Sequence, residues 1–334
     1  MKYQKLGSTG LDVSPICVGC MGFGSPERGY PAWTVSEEES LPVIRAAIEG
    51  GINFFDTANV YSAGHSEEIL GKALSLYANR ADVVIATKVL AQMRPGAPNG
   101  GGLSRKAIFD EVDASLRRLN VDYIDLYQTH GVDVAVPMEE TLEAFNDLVR
   151  SGKVRYIGAS SMIGWEFGAA LNVQERNGWA RFSSIQAHYN LINREDEREL
   201  HPLCLAKGVG VIPWSPLARG RLTRDWDAPS ERSSVDAFGD RLYSFSEGDR
   251  DVVGAVASIA KARGVSRAEI ALAWFASKDA VTAPIVGVHS VRHVNDALAA
   301  LEITLDEEEL AQVEGPYVPH PPAGVAGSAK WSSI

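Results

Sequence analysis

The chain has 334 residues, of which 45% are hydrophobic and 22% are charged, a composition typical of a globular protein with a large core. Its formal net charge of -11 disfavours nucleic acid as a partner, because phosphate binding requires a basic surface. No apolar run reaches the roughly 18 residues of a membrane span, and the N-terminus lacks the apolar region of a signal peptide. We therefore expect a cytoplasmic protein without membrane contact.

The three cysteines, Cys17, Cys20 and Cys204, are too few for a disulfide scaffold. Cys17 and Cys20 have the Cys-x-x-Cys spacing of a redox motif or half of a metal site. No second pair of cysteines or histidines follows at the spacing of a zinc site, so we predict ordinary buried thiols and no bound metal.

The chain opens with a predicted β-hairpin whose turn lies at residues 8–10. Short apolar or β-branched runs then alternate with amphipathic helical segments, a pattern typical of βαβ units. Eight such runs predict buried parallel strands at residues 16–19, 53–56, 83–88, 124–130, 154–160, 184–188, 209–214 and 283–287.

The helical segments between these strands begin at capping serines such as Ser36, Ser66 and Ser104, and some end at glycine, as at Gly50 and Gly264. They span residues 37–49, 67–77, 104–119, 139–150 and 249–263, and a further helix at 266–277 gives the seventh connection two helices. Eight strand–helix repeats without a linker predict an α/β fold, with residues 1–334 forming a single (β/α)8 TIM-barrel domain.

Three segments interrupt the alternation, at residues 92–102, 218–248 and 315–334. The first two follow strands three and seven, so we predict long loops at the C-terminal face of the barrel, where barrel enzymes hold their active sites. The third segment is a C-terminal tail with Trp331, for which closure over the active site and disorder are both open interpretations.

Four polar side chains lie at or just beyond the ends of three neighbouring predicted strands. Asp56 ends strand two, Tyr61 lies in the following loop, Lys88 ends strand three and His130 ends strand four. Because strand ends of a barrel converge on one mouth, we predict that these four residues form one catalytic site.

This set of residues suits acid catalysis by a phenol, whose pKa is ordinarily about 10. A neighbouring ammonium group favours the phenolate, and a carboxylate keeps that ammonium charged although it is buried. We therefore expect Tyr61 to donate a proton, Lys88 to tune it and Asp56 to hold Lys88. His130 either orients a substrate carbonyl or relays the proton to Tyr61.

The residues around these positions resemble the aldo-keto reductase superfamily, and in particular its microbial branch related to potassium-channel β subunits. The resemblance is carried by DTANVYSAGHSEEILGKAL at 56–74, VVIATK at 83–88 and DLYQTH at 125–130. Further segments follow in family order, from KLGSTGLDVSPICVG near the N-terminus to APIVGVHS near the C-terminus. The resemblance implies a (β/α)8 barrel that binds NAD(P)H and reduces an aldehyde or ketone to an alcohol by hydride transfer.

No predicted strand is followed by the Gly-x-Gly-x-x-Gly motif of a Rossmann domain, so the barrel itself must hold a nucleotide, with its phosphates in the loops after strands seven and eight. The resemblance implies that Trp214 stacks on the nicotinamide and that Ser160, Ser161 and Gln186 hold its carboxamide. Ser161 stands where the family often has Asn. The predicted cofactor contacts are Cys20, Met21, Asp56, Ser160, Ser161, Gln186, Trp214, Ser215, Pro216, Leu217, Arg219, Gly220, Arg224, Gly287, His289, His293 and Asp296.

The helix start after strand eight, at residues 287–293, favours an anion. The resemblance implies that the adenosine end of the cofactor binds there. The resemblance favours NADP, and Arg292 with Ser290 would support a 2′-phosphate. His293 stands at the usual Gln or Arg position, and Ala297 replaces a frequent Asn, so NAD stays open as an alternative.

The predicted substrate contacts are Phe23, Trp33, Tyr61 and His130, which suit a hydrophobic or sugar-like carbonyl compound. For Phe23 the alternative is packing in the core. A cofactor-binding partner or regulatory module with little turnover is a second function for the same scaffold. Schiff-base chemistry at Lys88 is disfavoured because a lysine paired with Asp56 stays protonated. The sequence predicts neither the physiological substrate nor the oligomeric state.

Overall fold

The computed structural model describes residues 1–29, 31, 33–228, 236–243 and 248–324. An antiparallel hairpin of β1 (Gln4–Lys5) and β2 (Asp12–Val13) precedes an eight-stranded parallel sheet. The strands of this sheet are β3 (Cys17–Gly19), β4 (Phe54–Asp56), β5 (Val84–Val89), β6 (Ile124–Thr129), β7 (Val154–Ser160), β8 (Phe182–Gln186), β9 (Gly210–Val211) and β10 (Ile285–Gly287).

Each strand of the sheet from β3 to β8 pairs with the next in the chain, and β10 pairs with β3. The junction between β9 and β10 is made by main-chain contacts beyond the strands. Trp214 and Ile285 form a parallel bridge, and the N–H of Ile285 donates to the carbonyl of Pro213 at 2.8 Å. The sheet therefore curls back on itself, which confirms the α/β (β/α)8 barrel with its N-terminal hairpin.

The helices surround this sheet, and those predicted at residues 37–49 and 249–263 have the predicted bounds. The described helices are α1 (Glu37–Glu49), α2 (His65–Tyr77), α3 (Arg105–Leu119), α4 (Met138–Arg150), α5 (Gly164–Asn177), α6 (Leu200–Lys207), α7 (Ala237–Leu242), α8 (Asp249–Arg263), α9 (Arg267–Ala273), α10 (Val291–Ala300) and α11 (Glu307–Glu314). None of these is both long and apolar enough to cross a membrane.

Ser66 does not cap α2, contrary to the prediction. The helix begins at His65, two residues before the predicted start, directly after a 3-10 turn that ends at Gly64. The Ser66 hydroxyl instead donates to the carbonyl of Cys20 at 2.7 Å and bonds the hydroxyl of Thr57 at 2.9 Å. It therefore ties α2 to the ends of two barrel strands.

The interior of the barrel is apolar at the N-terminal ends of the strands. Leu6 and Val13 of the hairpin pack with Phe54, Val84 and Leu126 in one cluster of buried side chains. Because side chains alternate between the faces of a strand, the next inward-pointing residues lie two and four positions farther along. The residues at those positions include the polar Asp56, Lys88 and Gln128, so the interior becomes polar toward the C-terminal end of the barrel.

Helix α2 packs closely on α3 through Gly71. A Cβ atom at Gly71 would lie 2.2 Å from the main-chain oxygen of Leu119. Gly254 in α8 is exposed, and among the described residues no heavy atom outside its own helix turn lies within 4 Å of its Cβ position. The two glycines therefore differ in packing although both lie within helices.

We expect Gly71→Ala to lower the free energy of unfolding by about 1–3 kcal/mol, because the added methyl group meets rigid main chain. Gly254→Ala is the matched control and should raise it by about 0.5–1 kcal/mol, since alanine favours the helix. Urea denaturation measures both. A stabilising effect of Gly71→Ala would contradict the close packing of α2 on α3.

Candidate active site

Lys88 and Asp56 form a buried ion pair at the polar end of the barrel interior. Lys88 is 0% exposed and Asp56 is 2% exposed. Lys88 Nζ donates to Asp56 Oδ2 at 2.6 Å, to the carbonyl of Thr57 at 2.8 Å and to Tyr61 Oη at 3.1 Å. An ammonium group has three N–H bonds, so each of them has an acceptor here.

The surroundings of Lys88 keep it protonated. Burial lowers its pKa, but attraction to Asp56 and to the Tyr61 oxygen outweighs burial, and the net pKa is raised. An ammonium has no lone pair with which to attack a carbonyl carbon. The geometry therefore disfavours Schiff-base chemistry at Lys88.

The second carboxylate oxygen of Asp56 is held by two amides. Gln128 Nε2 donates to Asp56 Oδ1 at 3.0 Å, and Gln186 Nε2 donates to the same oxygen at 2.9 Å. Gln186 was predicted as a cofactor contact, whereas Gln128 was not predicted. Gln128 lies two residues before His130 on the same strand face, so the alternation of β6 is the signal that would have found it.

Tyr61 and His130 stand side by side at the end of the barrel. Their rings meet edge to face, with centroids 5.7 Å apart and an angle of 80° between the planes. Burial, and then the charge of Lys88, lower the pKa of His130 to about 3, so its imidazole is neutral at neutral pH. Tyr61 and His130 both line a cavity of about 880 Å³.

The loop that carries Tyr61 has an unusual main-chain conformation. Ser62, Ala63 and Gly64 follow Tyr61 with φ angles of 46°, 51° and 93°. Left-handed residues other than glycine cost about 1 kcal/mol or more, so the surroundings must hold this turn. Arg118 packs against Gly64, and its Nε donates to the fully buried carboxylate of Glu67. This contact ties the Tyr61 loop to α3.

Most of the predicted site residues come together around the cavity. Those that line it are Met21, Trp33, Asp56, Tyr61, His130, Ser160, Ser161, Gln186, Trp214, Ser215, Pro216, Leu217, Arg219, Gly220, Arg224, Gly287, His289, His293 and Asp296. Cys20 and Phe23 are not among the described residues that line it. Both are fully buried in the core between strands and helices, which for Phe23 was the alternative interpretation.

One wall of the cavity comes from a helix inside the segment 218–248, which was predicted as a loop at this face. Phe238, Arg241 and Leu242, all in α7, line the cavity, and none of them was among the predicted contacts. Asp236, the N-terminal cap of α7, accepts two hydrogen bonds from Arg219, at 2.5 Å from Nε and 2.7 Å from Nη2. Arg219, predicted as a pyrophosphate contact, is therefore engaged by a carboxylate.

The described part of the C-terminal tail reaches the cavity. Gly324 lines the cavity, and a Cβ atom on it would lie 2.6 Å from the indole of Trp214. Trp331, for which closure over the site was considered, lies outside the described residues. No group of three His, Cys, Asp or Glu side chains within the described ranges is placed to hold a metal ion.

The lining of the cavity is basic although the protein is acidic. Among the described residues, the lining includes four arginines but only two carboxylates, and one of these, Asp56, is already paired with Lys88. The arginines are Arg219, Arg224, Arg241 and Arg292. A polyanion with flat aromatic ends fits such a cavity, since guanidinium groups bind phosphate and Trp214 presents an indole.

The far end of the cavity lies at the start of α10. Ser290 caps this helix, and the N–H of His289 donates to His293 Nδ1 at 3.2 Å. Burial and Arg292 lower the pKa of His293, against the effect of Asp296. Arg292 itself is exposed and lies 3.7 Å from Asp296. A helix N-terminus with basic neighbours is a suitable place for a phosphate group.

Residues 15–317 match the family model described as "Aldo/keto reductase family". The chain is 45% identical to versiconal hemiacetal acetate reductase of Aspergillus parasiticus, over 96% of this chain and 98% of that protein. It is 43% identical to a putative aryl-alcohol dehydrogenase of Schizosaccharomyces pombe, over 96% and 97%. A putative aryl-alcohol dehydrogenase of Saccharomyces cerevisiae is 38% identical, over 96% and 98%.

We expect Lys88→Met to lower the free energy of unfolding by about 3–5 kcal/mol, because it leaves the Asp56 carboxylate buried without a counter-ion. The double variant Asp56→Asn/Lys88→Met has neither charge and should recover at least about half of that loss. Denaturation monitored by circular dichroism measures both. A double variant less stable than Lys88→Met alone would contradict this account of the ion pair.

Proposed function

The chain belongs to the aldo/keto reductase family, and from that premise we propose that it is an NADPH-dependent reductase that uses Tyr61 as proton donor to convert an aldehyde or ketone into an alcohol. The family itself implies an oxidoreductase that reduces carbonyl groups with NAD(P)H. The observation that carries the proposal is the 3.1 Å contact from the buried Lys88 ammonium to Oη of Tyr61, which itself lines a cavity with basic and aromatic residues.

The chemistry that NADPH would supply when bound is transfer of a hydride to the carbonyl carbon, which leaves NADP⁺. Tyr61 donates its phenolic proton to the carbonyl oxygen as that oxygen gains negative charge. Lys88 stabilises the phenolate left behind, and Asp56 holds Lys88 in place. The neutral imidazole of His130 donates an N–H to the same carbonyl oxygen and orients it.

The cofactor would lie along the cavity from His130 to α10. Trp214 would stack on the nicotinamide, and Ser160, Ser161 and Gln186 would hold its carboxamide. The hydroxyls of Ser160 and Ser161 are 3.2 Å apart and both residues line the cavity, so they form one polar edge. The loop after β9 would contact the pyrophosphate, and the start of α10 would contact the adenosine.

For the substrate we propose an aromatic or otherwise hydrophobic carbonyl compound. Trp33 and Phe238 line the cavity, and the Arg219 guanidinium lies 5.8 Å and 5.4 Å from the centres of their rings. Large aromatic side chains favour flat apolar ligands. Two of the similar proteins are named as putative aryl-alcohol dehydrogenases, which supports the same class. We further propose that the chain acts as a single domain in the cytoplasm.

We expect Tyr61→Phe to lower kcat/KM for aromatic aldehydes at least about a hundredfold, the scale of a lost general acid. The Kd for NADPH should stay unchanged. Steady-state oxidation of NADPH and fluorescence titration measure the two quantities, with Tyr77→Phe in α2 as control. Near-normal turnover in Tyr61→Phe would refute the proton-donor role. No turnover in the wild type would favour a cofactor-binding regulatory module.

We expect Arg292→Ala to reduce the preference for NADPH over NADH about tenfold, because it removes a charged partner of the 2′-phosphate. His293→Ala should reduce the preference less, since its imidazole is largely neutral. The ratio of the two Kd values measures the preference. Arg250→Ala is the control, because Arg250 pairs with Asp227 outside the cavity. An unchanged ratio in both cavity variants would refute this placement of the 2′-phosphate.

A further inference from the structure

His188 lies behind Trp214, two residues beyond the end of β8. The two rings are stacked, with centroids 4.3 Å apart and planes 14° from parallel. Of these two described residues, Trp214 lines the cavity and His188 does not. His188 is only 3% exposed. The imidazole therefore supports the indole from the side away from the cavity.

Both ring nitrogens of His188 have partners that fix its tautomer. Nδ1 lies 3.2 Å from the carbonyl oxygen of Ala323, which can only accept, so Nδ1 carries the hydrogen. Nε2 is then an acceptor, and it receives the hydroxyl hydrogen of Tyr243 at 2.8 Å. Tyr243 Oη in turn accepts from Asn190 Nδ2 at 3.1 Å. Burial lowers the pKa of His188 to about 3, so this tautomer persists at neutral pH.

The hydrogen bonds of His188 link its ring to two distant segments of the chain, the C-terminal tail and the end of α7. Ala323 belongs to the C-terminal tail, which Tyr317 anchors farther back through its 2.8 Å bond to Glu195. Tyr243 directly follows α7, which forms one wall of the cavity. Asn190 Nδ2 also donates to the carbonyl of Ser215, the residue after Trp214, at 2.9 Å. The position of the indole is thus coupled to the tail and to the α7 wall.

We propose that His188 is a positioning residue that fixes the Trp214 indole in the plane on which the nicotinamide stacks, and that it makes this plane depend on the docked tail. The inference rests on the proposed function, which assigns the nicotinamide to Trp214. An unsupported indole turns about its side-chain bonds and must be ordered when a ligand binds. The stacked, doubly hydrogen-bonded imidazole orders it beforehand, which lowers the cost of binding.

The test compares two ligands that differ only in the nicotinamide. They are NADP⁺ and ADP-ribose 2′-phosphate, which lacks the nicotinamide. His188→Phe keeps a flat ring behind Trp214 but loses both hydrogen bonds. Calorimetric titration should show that His188→Phe raises the Kd of NADP⁺ about tenfold, while the Kd of the shorter ligand changes less than about twofold. Tyr243→Phe removes one of the two hydrogen bonds of His188, together with the bond from Asn190, and should raise the Kd of NADP⁺ about threefold.

His201→Phe is the matched control. His201 is also a buried histidine packed edge to face on an aromatic ring, that of Tyr189, but it does not line the active-site cavity. This variant should leave both Kd values unchanged. If His188→Phe fails to fold, Tyr243→Phe gives the same comparison of the two ligands.

Two results would overturn the positioning role. The first is an unchanged Kd for NADP⁺ in His188→Phe. The second is an equal rise in Kd for both ligands, which would indicate general damage to the cavity and no specific effect on the nicotinamide. A wild-type protein that binds neither NADP⁺ nor NAD⁺ would instead remove the proposed function. If the wild type prefers NAD⁺, the matched pair becomes NAD⁺ and ADP-ribose, with the same expectations.

The link to the tail is tested with a chain that ends at Pro322 and therefore lacks both the Ala323 carbonyl and Gly324, which packs against Trp214. We expect this truncation to raise the Kd of NADP⁺ in the wild type, but to add less than about a twofold change in His188→Phe. Such non-additivity means that the tail acts on the indole through His188. Fully additive effects of the truncation and the substitution would overturn the link.

Discussion

The ion pair between Asp56 and Lys88 sets the conditions for the rest of the barrel interior. Removing two charges from water costs several kcal/mol for each ion. Their mutual attraction offsets this cost only if further hydrogen bonds satisfy the other donors and acceptors of both groups. Lys88 donates to Asp56, Thr57 and Tyr61. The side-chain amides of Gln128 and Gln186 donate to the other carboxylate oxygen of Asp56. The register of the strands brings these donors and acceptors together, since Lys88 lies beside Gln128 in the pairing of β5 and β6. Apolar side chains of the hairpin close the N-terminal end of the barrel, so water does not reach the two charges from that end.

Stability alone does not account for this pair, because apolar side chains of similar volume commonly stabilise a protein as well or better. What the pair supplies is chemical. Lys88 is held as an ammonium 3.1 Å from Tyr61 Oη, close enough to stabilise a phenolate and too firmly protonated to act as a nucleophile. In the proposed function, the same contact is what makes Tyr61 a proton donor.

The sequence predicts this part of the site because it depends on local pattern. Buried strands are continuous apolar runs, and the polar residues Asp56 and Lys88 appear where those runs end. Gln128 was within reach of the same pattern, since it shares a strand face with His130. The pair Arg219–Asp236 was not, because it depends on how a long polar segment folds back over the barrel. His188 and Trp214 end neighbouring predicted strands and form a parallel bridge, so their contact was within reach of the strand pattern. Ser66 shows a related limit. Serine is a common helix cap, but here the preceding 3-10 turn runs directly into α2, so Ser66 lies inside the helix and does not cap it.

Tertiary pairing also changes the electrostatics that the sequence suggests. Counted by residue, the cavity is strongly basic, yet Arg219 already shares its charge with the nearly buried Asp236. At the far end, Arg292 is exposed over 82% of its side chain and lies 3.7 Å from Asp296, so solvent and a carboxylate both weaken its field. In the proposed function, the cofactor is therefore held mainly by stacking, main-chain donors and enclosure. The 2′-phosphate is then held by few charged partners, so the support behind Trp214 matters to affinity on the same scale, about tenfold, as Arg292.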